Sequence, residues 1–123
     1  RYFNYIYVRV GACTYLHKRT GDDIWKNLFE FPLIETEAPV TEEEFRELPQ
    51  VRALFTDGEV SGLRLINGNV KHVLSHRVIY ANFYEVVLPE NSTSFSAFQR
   101  VKTEDLEQYA VSRLVHAFLE KYL

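Results

Sequence analysis

The run of strand-forming side chains near the start of the chain constrains the fold more than any other feature. Between Tyr2 and Val10, seven of nine positions carry Tyr, Phe, Ile or Val. Branched and aromatic side chains are enriched in strands because they pack well on a pleated surface. We predict a strand over Tyr2–Val10 and another over Cys13–Lys18, with Gly11 allowing the bend between them. The fold therefore begins with a sheet.

A helix is predicted to follow the first strands. Thr41 and Glu44 have the spacing of a capping box, in which each side chain bonds the backbone of the other residue. Pro49 suits the first position of a helical turn, so a second short helix is expected over 49–55. Asp57 and Gly58 are predicted to mark its exit. The segment before these helices contains Pro32, which argues against a central strand there.

The second half of the chain returns to strand patterns. Asn67-Gly68 is the strongest short hairpin signal, because a type I′ turn needs positive φ at both central residues. Strands are predicted over 70–74 and over Val78–Leu88, with an interruption at residues 75–77. A short last strand is expected over 98–101.

A terminal helix is predicted to close the domain. Thr103 is expected to cap it, and apolar residues recur at helical spacing between Ala110 and Tyr122. The order of elements is therefore strands, helix, strands, helix. This order predicts an α+β fold in which helices pack on the faces of a mixed sheet.

Composition limits the class of protein. The 123 residues are 46% hydrophobic and 25% charged, which is typical of one globular domain. No apolar run approaches the roughly 20 residues that span a bilayer, so no membrane contact is expected. Cys13 is the sole cysteine, so neither an internal disulfide nor a thiolate cluster is expected. The chain begins at Arg1 and contains no Met, so we expect a domain excised from a longer protein.

Charge is distributed unevenly along the chain. The net charge is −3, and eight acidic residues lie within residues 35–59. Residues 60–84 contain no acid but carry five basic or titratable side chains: Arg64, Lys71, His72, His76 and Arg77. This stretch is predicted either to meet phosphates or to be the solvated edge of an ordinary strand pair.

Three segments resemble the C-terminal domain of MutY-type adenine DNA glycosylases. His17-Lys18-Arg19 with the later Trp25-to-Pro32 segment resembles the family's strand, loop and Phe-Pro signature. Residues 70–76 resemble its His-x-Phe-Ser-His loop, except that Leu74 stands where the family carries an aromatic residue. Residues 98–123 resemble its closing strand and helix, so the resemblance spans nearly the whole chain and implies a Nudix-like fold.

The resemblance also implies that catalysis and lesion recognition belong to different domains. Enzymes of this family remove adenine mispaired with 8-oxoguanine, after flipping it into a pocket of an N-terminal helix-hairpin-helix domain. That domain, absent from this chain, carries the catalytic residues and an iron–sulfur cluster. The resemblance therefore implies no catalytic residue, metal site or cofactor here. The implied partners are duplex DNA with an 8-oxoguanine:adenine mispair and the enzyme's own catalytic domain. The protein is expected to be a monomer in the cytoplasm, associated with the nucleoid.

The family's serine loop indicates which residues meet the lesion. Guanine oxidation turns N7 from an acceptor into a donor and adds an oxygen acceptor, and a hydroxyl both donates and accepts. Ser75 is therefore predicted to read the lesion, with Leu74 pressing on the base step and His76 beside them. The phosphate candidates are His72, Lys71 and Arg77. The competing interpretation is a turn serine bonded to its own backbone, among ordinary histidines.

Two other functions remain open from the sequence. A Nudix hydrolase needs a glycine-rich loop and a helix whose glutamates hold magnesium. No glycine pair follows Pro32, and the order of Glu43, Glu44, Arg46 and Glu47 does not match that motif. A protein-interaction module is the second alternative, with the acidic residues 35–59 facing a partner instead of solvent.

Overall fold

The computed structural model describes residues 1–56 and 58–123 and forms a seven-stranded sheet with helices on both faces. The strands are β1 (Tyr2–Val10), β2 (Cys13–Lys18), β3 (Phe29–Glu30), β4 (Leu33–Thr36), β5 (Arg64–Val73), β6 (Val78–Leu88) and β7 (Gln99–Lys102). The helices are α1 (Glu42–Glu47), α2 (Pro49–Arg52) and α3 (Arg113–Tyr122), with 3-10 helices at Glu59–Gly62 and Thr103–Gln108. In the described part of the chain, no helix has the length and apolar character to cross a membrane.

Strand β1 is the centre of the sheet. It pairs in parallel with β6 from Tyr2 opposite Tyr80 to Val10 opposite Leu88. Its other edge pairs antiparallel with β4 near Tyr2 and with β2 at Val10. The order across the sheet is β3-β2-β1-β6-β5, with β7 on β2. Parallel and antiparallel pairs together make this the mixed sheet predicted from the sequence.

Both faces of the sheet carry a hydrophobic core. On one face, Phe118 of α3 stacks on Phe83 of β6 at 4.4 Å between ring centroids. On the other, Phe45 of α1 stacks on Tyr84 at 4.0 Å, and burial raises the pKa of Tyr84 to about 12. Burying one such side chain stabilises the fold by about 1.5–3 kcal/mol. The predicted α+β arrangement, with helices on the faces of the sheet, is confirmed.

Local capping hydrogen bonds and a proline determine where the first two helices begin. The Thr41 hydroxyl accepts from the Glu44 amide at 3.1 Å, and the Glu44 carboxylate accepts from the Thr41 amide at 2.8 Å. The predicted capping box is confirmed. Pro49 does begin a second helix, although that helix ends at Arg52 and not at residue 55. Asp57, predicted to mark the exit, lies outside the described residues.

The predicted Asn67-Gly68 hairpin is wrong. Both residues lie inside β5, at shifts in its register with β6. Tertiary contacts override the local turn signal there, because the buried Asn82 side chain accepts from the Asn69 amide at 2.9 Å. Asn69 takes the positive φ of 55° in this bulge. The hairpin between β5 and β6 turns instead at residues 74–77, inside which the predicted interruption at 75–77 falls.

The predicted start of the terminal helix is also wrong. Thr103 begins a 3-10 helix, whereas Ser112 caps α3 by accepting from the Val115 amide at 3.3 Å. Between the end of the 3-10 helix at Gln108 and Ser112 the chain is not helical, and the carbonyl of Ala110 there accepts from the Phe29 amide at 2.8 Å. The predicted apolar face of α3 is confirmed by the burial of Leu114, Val115 and Phe118. Strand β7 begins one residue later than predicted.

We expect Asn82→Ala to reduce the free energy of unfolding by about 2–3 kcal/mol, because buried polar groups would lose their partners. Asn82 donates to the Asn4 carboxamide oxygen at 2.9 Å, and Asn4 in turn donates to the carbonyl of Ile34 at 3.0 Å. Urea unfolding followed by circular dichroism measures the change. The exposed Asn91→Ala serves as the control and should shift stability by less than about 0.5 kcal/mol. Equal stability in the two variants would contradict the prediction.

Candidate nucleic-acid interface

The 74–77 turn joins β5 to β6. The last pair of the ladder is Val73 opposite Val78, and the Leu74 amide then donates to the carbonyl of Arg77 at 2.8 Å. Ser75, His76 and Arg77 are exposed. The turn therefore presents three polar side chains from a backbone that its own hydrogen bond holds closed.

A second loop, residues 22–25, faces this turn across a groove of about 380 Å³. The groove is lined by Arg1, Asp22, Asp23, Ile24, Trp25, Leu74, Ser75, His76 and Arg77. Four of the six residues singled out from the sequence thus share one site.

The 22–25 loop is anchored at its base and by its tryptophan. The Arg19 amide donates to the carbonyl of Leu28 at 2.8 Å, and the Asn27 amide donates to the carbonyl of Arg19 at 2.7 Å. Asn27 has a φ of 71°, a conformation that Asn tolerates better than most residues. The buried Trp25 packs edge-on against Phe3 at 5.4 Å. The loop is therefore a fixed wall of the groove.

The two aspartates of this loop have different environments. Asp23 accepts from the Arg19 guanidinium and from the Trp25 amide, both at 2.9 Å. The hydrogen bond from Arg19 lowers the pKa of the Asp23 carboxyl, which secures the ion pair at neutral pH. Asp22 is exposed and forms no ion pair within the described chain. The groove therefore has one solvated carboxylate, which shares the lining with His76 and Arg77.

The lesion-reading candidates differ in how free their side chains are. The exposed Ser75 hydroxyl makes no hydrogen bond to any described residue, so it is not bonded to its own backbone as the competing interpretation required. Leu74 is half-buried and packs against the core beneath α3. The serine is thus available to a ligand, whereas much of the leucine is engaged in the fold.

Lys71 and His72 lie apart from the groove. They are adjacent on β5, and side chains of a strand alternate between its faces. Lys71 is exposed and lies opposite Tyr80, while His72 is half-buried and lies opposite Ile79. The two side chains therefore lie on opposite faces of β5, and only one of them can contact a ligand that lies along one face.

Sequence reasoning missed the 22–25 loop as the second wall. Its signal is an apolar pair, Ile24-Trp25, directly after a polar turn. Adjacent residues in such a turn do not both reach the core, and the structure buries Trp25 while leaving Ile24 70% exposed. Arg1, also missed, directly precedes β1 and lines the groove with both loops.

Two of the four glutamates of α1, Glu42 and Glu44, are engaged within the fold. Glu42 accepts from Arg46 at 2.9 Å and from the Leu65 amide at 2.8 Å, and the hydrogen bond from Arg46 lowers its pKa. Glu44 belongs to the capping box, and Glu47 lies 3.4 Å from Arg52. Across residues 1–56 and 58–123, no three His, Cys, Asp or Glu side chains are arranged to hold a metal ion.

Comparison with known proteins places this geometry in a family. The model of the NUDIX domain matches residues 4–121. The C-terminal domain of mouse MUTYH, solved in complex with human PCNA, has a similar fold, with a TM-score of 0.74 and 15% identity over 98% of this chain and 86% of that one. A Nudix hydrolase from M. smegmatis, RenU, aligns with a TM-score of 0.60 and 8% identity over 98% and 80%. No curated protein matches the sequence. The Nudix-like fold predicted from the sequence is confirmed.

We expect Asp23→Asn to cost about 1–2 kcal/mol of stability at pH 7, because it weakens a charged hydrogen bond that anchors the loop. The pKa of Asp23 is lower in the folded chain than in the unfolded chain. Its contribution is therefore complete above the unfolded value of about 3.9 and is lost as pH falls through the folded value.

Urea unfolding at pH 7 and at pH 2–3 tests this expectation. The gap between the parent chain and Asp23→Asn should narrow in acid. Asp22→Asn is the matched control, one residue away and solvated, and should change stability by less than about 0.5 kcal/mol. A gap that is the same at both pH values would show that the ion pair does not anchor the loop.

Proposed function

We propose a function for this chain on the basis of its family, because the chain belongs to the NUDIX domain family. Within that family, we propose that it is the lesion-recognition domain of a MutY-type adenine DNA glycosylase. It would contact 8-oxoguanine opposite the mispaired adenine, while a separate catalytic domain removes the adenine. The observation that carries this proposal is the groove, where the unbonded Ser75 hydroxyl lies beside two cationic or titratable side chains, His76 and Arg77.

The chemistry of a hydroxyl fits the lesion. At the oxidised edge of guanine, N7 is a donor and the new oxygen an acceptor, so the reader has to offer both functions. Ser75 offers both from a turn that is closed by its own backbone hydrogen bond. A fixed turn costs less ordering entropy on binding than a mobile one.

The surrounding charges fit a duplex. Lys71, His76 and Arg77 are exposed and form no ion pair with any described residue. Such side chains position a protein on the phosphate backbone without reading sequence. The acidic residues within the described range 35–56 lie chiefly in β4 and α1. The net charge of −3 is therefore compatible with a local DNA contact.

The catalytic parts of the proposed enzyme lie outside this chain. With Cys13 as its sole cysteine, the chain cannot supply the four thiolates of an iron–sulfur cluster. We therefore assign that cofactor, the catalytic residues and the adenine pocket to the partner domain. The fold shared with the C-terminal domain of mouse MUTYH supports this division.

A Nudix hydrolase is the second candidate, favoured by the fold shared with RenU. Hydrolysis assisted by a divalent cation needs clustered, available carboxylates. In α1, Glu42 and Glu44 are bound to Arg46 and to backbone amides. Magnesium-dependent turnover of a nucleoside diphosphate derivative, abolished by Glu44→Ala or Glu47→Ala, would replace the proposed function with this one.

A protein-binding role is the third candidate, favoured by the complex of the mouse MUTYH domain with human PCNA. In this chain, Glu37, Glu43 and Glu47 form exposed acidic positions on and before α1. A pull-down that depends on these glutamates, from a chain with no response to DNA, would favour it.

We expect the chain to bind a duplex with 8-oxoguanine:adenine more tightly than one with guanine:adenine. Ser75→Ala should reduce that preference by about 5–10-fold, since it removes one hydrogen bond to the lesion. Fluorescence anisotropy at low salt measures both affinities. Lys71→Ala and Arg77→Ala should instead weaken binding to both duplexes equally. Each should reduce the slope of log affinity against log salt concentration by about 0.9.

Lys102→Ala is the matched control for the cations, because Lys102 is exposed on β7 outside the groove. It should leave affinity and salt slope unchanged. Equal discrimination between the two duplexes in Ser75→Ala and in the parent chain would remove Ser75 from the site. An absence of any DNA binding at low salt would overturn the proposed function.

A further inference from the structure

We propose that Ile24 is an apolar wedge that enters the duplex beside the base read by Ser75, a role that rests on the proposed function. The 22–25 loop would then insert into the base stack while the 74–77 turn reads the lesion edge. The site is thus a two-walled clamp on duplex DNA.

The exposure of the two apolar candidates differs. Ile24 is 70% exposed, the largest value among the large apolar side chains of the described residues. Leu74, which takes the aromatic position of the serine loop, is half-buried against the core. Moving Leu74 into DNA would remove part of its core packing, whereas Ile24 has little packing to lose.

The position of Ile24 is also suitable. Ile24 and Ser75 line the same groove from two different loops, residues 22–25 and 74–77. An inserted side chain has to come from a fixed backbone, because ordering a mobile loop offsets the gain from its contacts. Ile24 lies between two anchored neighbours, since Arg19 holds Asp23 and the core holds Trp25.

Single exposed apolar side chains are common on protein surfaces and need no function. Ile24 is not isolated from others of its kind, because Val73 and Val78 flank the 74–77 turn at 66% and 36% exposure. Lys71 and Arg77 lie next to those valines and have no ionic partner among the described residues. Apolar wedges with neighbouring cations are the arrangement of proteins that unstack and bend duplex DNA through the minor groove.

Asp22 helps to define which part of the DNA enters the groove. Its solvated carboxylate repels phosphate, so the backbone of the duplex is expected to lie away from Asp22, near cations such as Lys71, which lies outside the groove. A carboxylate accepts hydrogen bonds from base amino groups. The centre of the groove therefore suits base edges, which is where a wedge from Ile24 would act.

The test uses a duplex with 8-oxoguanine:adenine and 2-aminopurine at the step next to the lesion, since that base becomes brighter when it unstacks. Saturating parent chain should raise the fluorescence, and Ile24→Ser should reduce the rise at least about fivefold while keeping the preference for 8-oxoguanine. Val87→Ser is the matched control, because Val87 is 65% exposed near the far end of β6. Leu74→Ser is measured alongside, with urea unfolding of every variant.

The outcomes distinguish failure of the wedge from failure of the proposed function. A full fluorescence rise with saturating Ile24→Ser overturns the wedge and leaves the proposed function standing. A fluorescence rise that is lost in a folded Leu74→Ser variant but kept in Ile24→Ser assigns the wedge to the 74–77 turn and overturns the proposal for Ile24. A parent chain that binds no duplex overturns the proposed function, and the wedge with it.

Discussion

The parallel pairing of β1 with β6 is the contact on which the rest of the molecule depends. Nine consecutive pairs hold these strands together, and their side chains enter the cores on both faces of the sheet. Asn4 and Asn82 form the one directly opposed asparagine pair of this register, and their hydrogen bond of 2.9 Å ties it to the bulge in β5. A slip of one residue would exchange the two faces of β1, so the buried amides and both cores enforce the same alignment.

Most of the fold could be predicted where the signal is local. Strands β1 and β2 have the predicted bounds, because a dense run of strand formers leaves few alternatives. The capping box was predictable because its two partners are three residues apart. The hairpin at Asn67-Gly68 was not, since Asn82, a distant residue in sequence, stabilises a bulge there. The predicted start of α3 was wrong for a similar reason, since the bridge between Phe29 and Val111 keeps the chain out of α3 until Ser112.

The site was predictable in part, and the limit has the same cause. Residues 74–77 stand out in the sequence through their resemblance to a known loop, and the structure gathers them at one turn. The opposing wall comes from the connection between β2 and β3, about fifty residues earlier in the chain. No local pattern tells which loop a turn will face, because strand order decides that. The outer pairs, β2 with β3 and β6 with β5, flank β1, and the loop that connects each pair lines the groove together with Arg1.

The position of Arg1 on the groove has a practical consequence for anyone working with this domain. Arg1 is one of the residues that line the groove, so whatever precedes Arg1 in a longer chain, whether a tag or a preceding domain, leaves the fold beside the groove. A bulky tag placed directly before Arg1 would compete with a ligand for that space. Leu123 lies in a different depression, beside Tyr7 and Arg9, so a fusion at the carboxyl end leaves the groove open.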